Sequence, residues 1–88
     1  MNLGKIRHLD VDDLYVMSRL LDDVRMGVLS KKLGISPPAI SHRRRKYEDL
    51  FPGFFMEKKS SSQRQMLSPK GIEICKKMKL AYDILMKI

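Results

Sequence analysis

The sequence predicts a mostly α fold: a three-helix core, a small β-hairpin and a long C-terminal helix. Three observations predict it. Apolar residues recur at helical spacing in several segments. Twice a serine stands directly before a proline, at Ser36-Pro37 and Ser68-Pro69, the pairing that starts helices cheaply. Between those two starts Pro52-Gly53 breaks the chain, and two short apolar runs flank a polar stretch.

Residues 1–7 read as a short leader. The first helix starts at Asp10 or Asp12, where a carboxylate caps exposed amides and suits the helix dipole. Leu14, Met17, Leu20 and Leu21 are its core positions. Asp22-Asp23 opposes continuation, and Gly27 caps a second, short helix that runs through Leu33. Gly34 follows where a left-handed residue ends a helix at little cost. The third helix runs from Pro37 to about Leu50 behind Ser36 as N-cap. Phe54-Phe55-Met56 then reads as a strand, residues 58–64 as a polar loop and Gln65-Met66-Leu67 as the return strand. The last helix starts at Pro69 and continues to the end of the sequence.

Charge narrows the function classes. Residues 1–23 hold three bases and five acids, a balance of −2, whereas the remainder holds 15 bases and five acids, a balance of +10. Such asymmetry suits a partner rich in phosphate, either nucleic acid or an anionic membrane. One cysteine excludes an internal disulfide. No apolar run approaches the roughly 20 residues that span a bilayer, and the first residues lack a signal-peptide pattern. The expectation is a cytoplasmic, nucleoid-associated protein. Neither histidine, His8 nor His42, has metal-ligand spacing, and no nucleophile, base and acid form a catalytic set. No cofactor, metal, small-molecule effector or enzymatic activity is expected of this chain.

The second and third helices, joined by a glycine turn, form a helix-turn-helix pattern. In it Leu29 and Leu33 point inward, Ser30 is small where helices cross, Ile35 plugs the gap and Ile40 anchors the second helix. The basic run His42-Arg43-Arg44-Arg45-Lys46 lies on that same third helix. Ile40, Tyr47 and Leu50 share its core face, while Pro38, Ser41, His42 and Arg45 lie opposite and are the candidates for base edges. Lys31, Lys32, Ser36, Arg43 and Lys46 are the candidates for phosphates. Lys58, Lys59 and Arg64 form a basic hairpin tip that either reaches a narrow minor groove or is simply solvated.

These residues resemble the DNA-binding domain of LysR-type transcriptional regulators. The resemblance lies in His8-Leu9-Asp10, in Leu33-Gly34-Ile35-Ser36 with Pro38-Ala39-Ile40-Ser41, and in Phe55 with Leu67-Ser68-Pro69-Lys70-Gly71. It implies a winged helix-turn-helix over residues 1–68 and a linker helix over 69–88 that pairs two subunits. Pro37 stands where the family usually has a base-reading glutamine. Arg44 stands where it has an apolar residue, so Arg44 either snorkels or the core is altered. No effector-binding segment lies within these 88 residues.

On the last helix Ile74, Cys75, Met78, Ala81, Tyr82, Leu85 and Ile88 form a wide apolar stripe, the expected homodimer interface. Ile72 and part of that stripe are expected to pack on the domain itself. Cys75 reads as a small buried hydrophobe rather than a redox sensor. The expected function is a dimeric, sequence-specific double-stranded DNA-binding regulator of transcription that reads an interrupted inverted repeat. The alternative is an interaction module that pairs with a full-length regulator.

Overall fold

The computed structural model describes residues 3–22, 26–57 and 66–88. Among them are five helices: α1 Leu3–Ile6, α2 Val11–Leu20, α3 Met26–Leu33, α4 Pro37–Leu50 and α5 Pro69–Leu85. The chain is mostly helical. Residues 3–6, expected as leader, form one helical turn instead, and the Lys5 ammonium lies 5.7 Å from the centre of the Phe51 ring.

Local chemistry explains each start. Asp10 caps α2 in a capping box: its carboxylate accepts from the Asp13 N–H at 2.8 Å, and Asp13 accepts from the Asp10 N–H at 3.0 Å. α3 begins at Met26, one residue before the expected glycine, and Gly27 sits exposed in its first turn. Gly34 takes φ +66°. The Ile35 N–H then reaches back to the Ser30 carbonyl at 3.1 Å, closing α3 in a Schellman-type turn. Ser36 and Ser68 cap α4 and α5, each with proline next, as expected. α5 stops at Leu85 rather than running on, because the Lys87 and Ile88 amides bond three residues back, in a tighter turn.

Among the described residues the expected strands are reduced to one antiparallel bridge, Phe55 to Leu67. The reason is that Phe54 and Phe55 are both buried, so side chains do not alternate between two faces. The backbone of Phe54 is also engaged elsewhere. Its N–H bonds the Phe51 carbonyl at 2.9 Å, and its carbonyl accepts from the Ser68 N–H at 3.1 Å. Residues 58–65, the expected hairpin loop and the start of its return strand, lie outside the described residues.

α2 packs along α5, and α3 packs on α4. The core joins Val16, Met17 and Leu20 of α2, Leu29 of α3, Ile40 and Tyr47 of α4, and Ile74, Cys75 and Met78 of α5. Phe51, Phe54 and Phe55 fill the space between α4 and α5. Leu14, Leu21, Leu33, Ile35 and Leu50 close its edges.

Two devices hold the turn after α4. The Glu48 carboxylate accepts from the Gly53 N–H at 2.9 Å and the Phe55 N–H at 3.0 Å. From the other side, Lys70 donates to the Pro52 carbonyl at 2.8 Å, and the Ser68 hydroxyl donates to the Gly53 carbonyl with the Phe54 carbonyl 3.0 Å away.

Candidate nucleic-acid interface

α4 is aimed by the turn before it. Ser30, buried where α3 crosses α4, donates its hydroxyl to the Ile35 carbonyl, and Ile35 packs against the core. Ser36 Oγ then accepts from the Ala39 N–H at 3.3 Å. With Ile40 and Tyr47 buried, the opposite side of α4 is fixed as its outer face. Pro38, His42 and Arg45 are exposed on that face, and Ser41 is half-buried.

The basic run does not act as one patch. Four successive helical residues are turned about 100° from one to the next, so they point in different directions. Arg43 and Lys46 turn toward the start of α2. Arg43 Nη1 lies 2.5 Å from Asp13 Oδ1, and Lys46 Nζ lies 2.5 Å from Asp13 Oδ2. Arg43 also lies 3.4 Å from Asp10 and 3.9 Å from Asp12. Arg44 lies over the Phe55 ring at 6.0 Å, so its charge snorkels across an aromatic face. Arg45 points outward.

Asp13 is the hub of this corner and is 0% exposed. It also accepts from the Tyr47 hydroxyl at 2.8 Å. Burial alone would raise its pKa, but the bonds from Lys46, the Asp10 N–H, Tyr47 and Arg43 outweigh that and hold the carboxyl below its ordinary value. Arg43 is desolvated too, yet Asp13 raises its pKa, so the guanidinium stays charged. Burial, with the Asp13 charge beside it, pushes the Tyr47 phenol up and keeps it neutral. Asp13 was not singled out from sequence. Its capping-box spacing from Asp10 was visible there, but its cationic partners lie 30 and 33 residues away.

Of the other phosphate candidates, Lys31 and Lys32 are exposed at the end of α3, and Ser36 is exposed at the start of α4. Lys58, Lys59 and Arg64 lie outside the described residues. A shallow groove beside the outer face of α4 is lined by His8, His42, Arg45, Lys46, Asp49 and Leu50. His8 and Asp49 therefore join the neighbourhood of the candidate base-reading face, which their sequence positions gave no sign of.

The stripe on α5 divides. Ile74, Cys75 and Met78 are buried against the domain's own core, so they offer no surface to a second copy. Burial pushes the Cys75 thiol up to about 12, leaving it protonated and inert. Ala81 and Tyr82 are half-buried, and the Tyr82 ring sits 5.3 Å from that of Tyr15. Leu85 and Ile88 remain exposed. Ile72, expected on the inner face, is exposed instead. Ile72, Leu80 at 64% exposure and Ile84 at 56% are outward apolar residues as well. Pro69, Ile72, Glu73, Lys76, Lys77 and Leu80 line a groove along that side.

Among the described residues no helix is long and apolar enough to cross a membrane, and no cluster of His, Cys, Asp or Glu could hold a metal ion. Comparison with protein-family models, curated proteins and solved structures gave no match.

Proposed function

We propose that this chain is a sequence-specific double-stranded DNA-binding protein of the winged helix-turn-helix type, acting in transcriptional regulation as its resemblance to LysR-type domains implies. One observation carries the reading. α4 is pinned by Gly34, Ile35 and Ser36 with its inner face buried, so its outer face presents Pro38, Ser41, His42 and Arg45 together. A helix so presented enters a major groove, where Arg45 bridges two guanine acceptors and Ser41 and His42 serve neighbouring base edges. Lys31 and Lys32 suit the flanking phosphates, and Lys58, Lys59 and Arg64 suit an adjacent minor groove.

The protein acts as a two-fold dimer through the outer side of α5. If two copies cross antiparallel at Leu80, residues equally far on either side of it meet. Leu80 then meets Leu80, and Lys77 faces Asp83 of the other copy, pairing apolar with apolar and base with acid. Two recognition helices so related read an interrupted inverted repeat, with half-sites about 10 to 10.5 base pairs apart, or ~34 Å.

Selection of bound sequences from a random duplex pool, followed by shift assays at two salt concentrations, tests the reading. The selected site is expected to be an inverted repeat, and five base pairs inserted between its halves should reduce affinity to the non-specific level. Arg45→Ala should lose discrimination between sites, at roughly 1–3 kcal/mol for the base pair it reads. Lys31→Ala should weaken all duplexes alike. Failure to retain any duplex would defeat this reading. Recovery of α5-dependent pairing with a full-length regulator instead would favour an interaction module, which the exposed apolar side of α5 also suits.

A further inference from the structure

The corner formed by the start of α2 and the middle of α4 holds three carboxylates, Asp10, Asp12 and Asp13, against two cations, Arg43 and Lys46. It is therefore a site of net charge −1 on the helix that otherwise carries the chain's densest basic run. Both cations lie against one fully buried carboxylate at 2.5 Å. A phosphate approaching them would meet charges already neutralised, together with the partly exposed carboxylates of Asp10 and Asp12.

Resting on the duplex-binding reading above, we infer that Asp13 is a positioning residue that sets specificity. It withholds Arg43 and Lys46 from the phosphate backbone, and so α4 meets DNA with its Arg45 face. The physical consequence concerns salt. Each phosphate neutralised by a cation steepens the dependence of affinity on salt by about 0.9 logarithmic units. That attraction is the same for every sequence, so cations released from Asp13 would raise non-cognate binding and reduce the ratio of specific to non-specific affinity. Asp13 acts through the other two side chains and touches no DNA.

The test compares salt slopes on cognate and non-cognate duplexes for the wild type, Asp13→Asn, and the triple variant Asp13→Asn/Arg43→Gln/Lys46→Gln. Asn keeps the shape and an acceptor for Tyr47 but loses the charge. Asp13→Asn should steepen the slope by up to about 2 units. Between 50 and 200 mM salt its affinity should then fall by about tenfold more than that of the wild type. The triple variant should return to the wild-type slope, which a merely structural role for Asp13 would not produce. Asp13→Glu, restoring the charge, should restore the slope in part. Where Asp13→Asn proves unfolded by circular dichroism, the triple variant against the wild type decides: equal slopes support the inference. A triple-variant slope flatter by about 2 units means that Arg43 and Lys46 already contact phosphates in the wild type, and overturns it. Duplex binding with unchanged slope in folded Asp13→Asn overturns this inference alone, whereas absence of duplex binding by the wild type overturns the proposed function with it.

Discussion

At the scale of single residues, Asp13 and Gly71 are each held by close contacts to another element. A Cβ added at Gly71 would lie 2.0 Å from the Phe54 carbonyl oxygen. That oxygen is tied in place, because it also accepts from the Ser68 amide. Gly71→Ala should therefore cost about 3 kcal/mol, the upper end for overpacking, as read by urea unfolding. A change below about 1 kcal/mol would mean that α5 shifts freely on the turn. Asp13 should reveal itself through pH. Its folded pKa lies below the ordinary 3.8, so its stabilising effect is complete above the unfolded value and disappears as pH falls through 3.8 toward the folded one. The melting temperature of the wild type should fall as pH drops below about 4. Asp13→Asn should be less stable at pH 7 and should lose less over that acid range. Parallel pH profiles for the two proteins would remove Asp13 from that role.

At the scale of elements, the two Ser-Pro starts look alike in sequence but differ in what they hold. Ser36 Oγ accepts one exposed amide at 3.3 Å. Ser68 Oγ accepts from the Gly71 N–H at 3.0 Å and donates to the Gly53 carbonyl, so it fastens α5 to the turn after α4. Ser68→Ala should cost about 2 kcal/mol and Ser36→Ala less than about 1, by chemical denaturation. The reverse order would mean that the Ser68 cap is not what joins the two elements. The hairpin shows the same dependence on context. Phe54-Phe55-Met56 has the composition of a strand, yet both phenylalanines are drawn into the core and, among the described residues, one bridge forms. Glu48, which ties the turn together, carried no local signal because its partners lie five and seven residues on.

At the scale of the whole molecule, the question is how much apolar surface one copy can cover. α2 takes up the inner side of α5, burying Ile74, Cys75 and Met78, and leaves Leu80 and Ile84 outward. Met78→Glu should therefore unfold the domain. Leu80→Glu with Ile84→Glu should leave it folded, monomeric by light scattering and weak on duplex DNA. A wild type that is monomeric at high micromolar concentration would sink the proposed dimer. The acidic start of α2 is likewise a feature of the whole. Asp13 turns its charge on α4 rather than on solvent, so part of the asymmetry visible along the sequence becomes a contact in space.

Sequence by itself determined the local events. Ser36, Gly34, Pro37, Pro69 and the cap Asp10 act through bonds within a few residues, and such bonds are set by residue type and spacing. The inward positions Met17, Leu20, Leu29, Ile40 and Tyr47 followed from periodicity, because a helix has one buried side. Only the tertiary structure decided which side of α5 faces inward, where Arg43, Arg44 and Lys46 point, and what holds the turn at Gly53. A wide apolar stripe does not say which half meets its own domain, and a run of four bases does not say which of them finds a carboxylate 30 residues away. Those outcomes depend on how α2, α4 and α5 pack, and packing is a property of the assembled chain rather than of any segment.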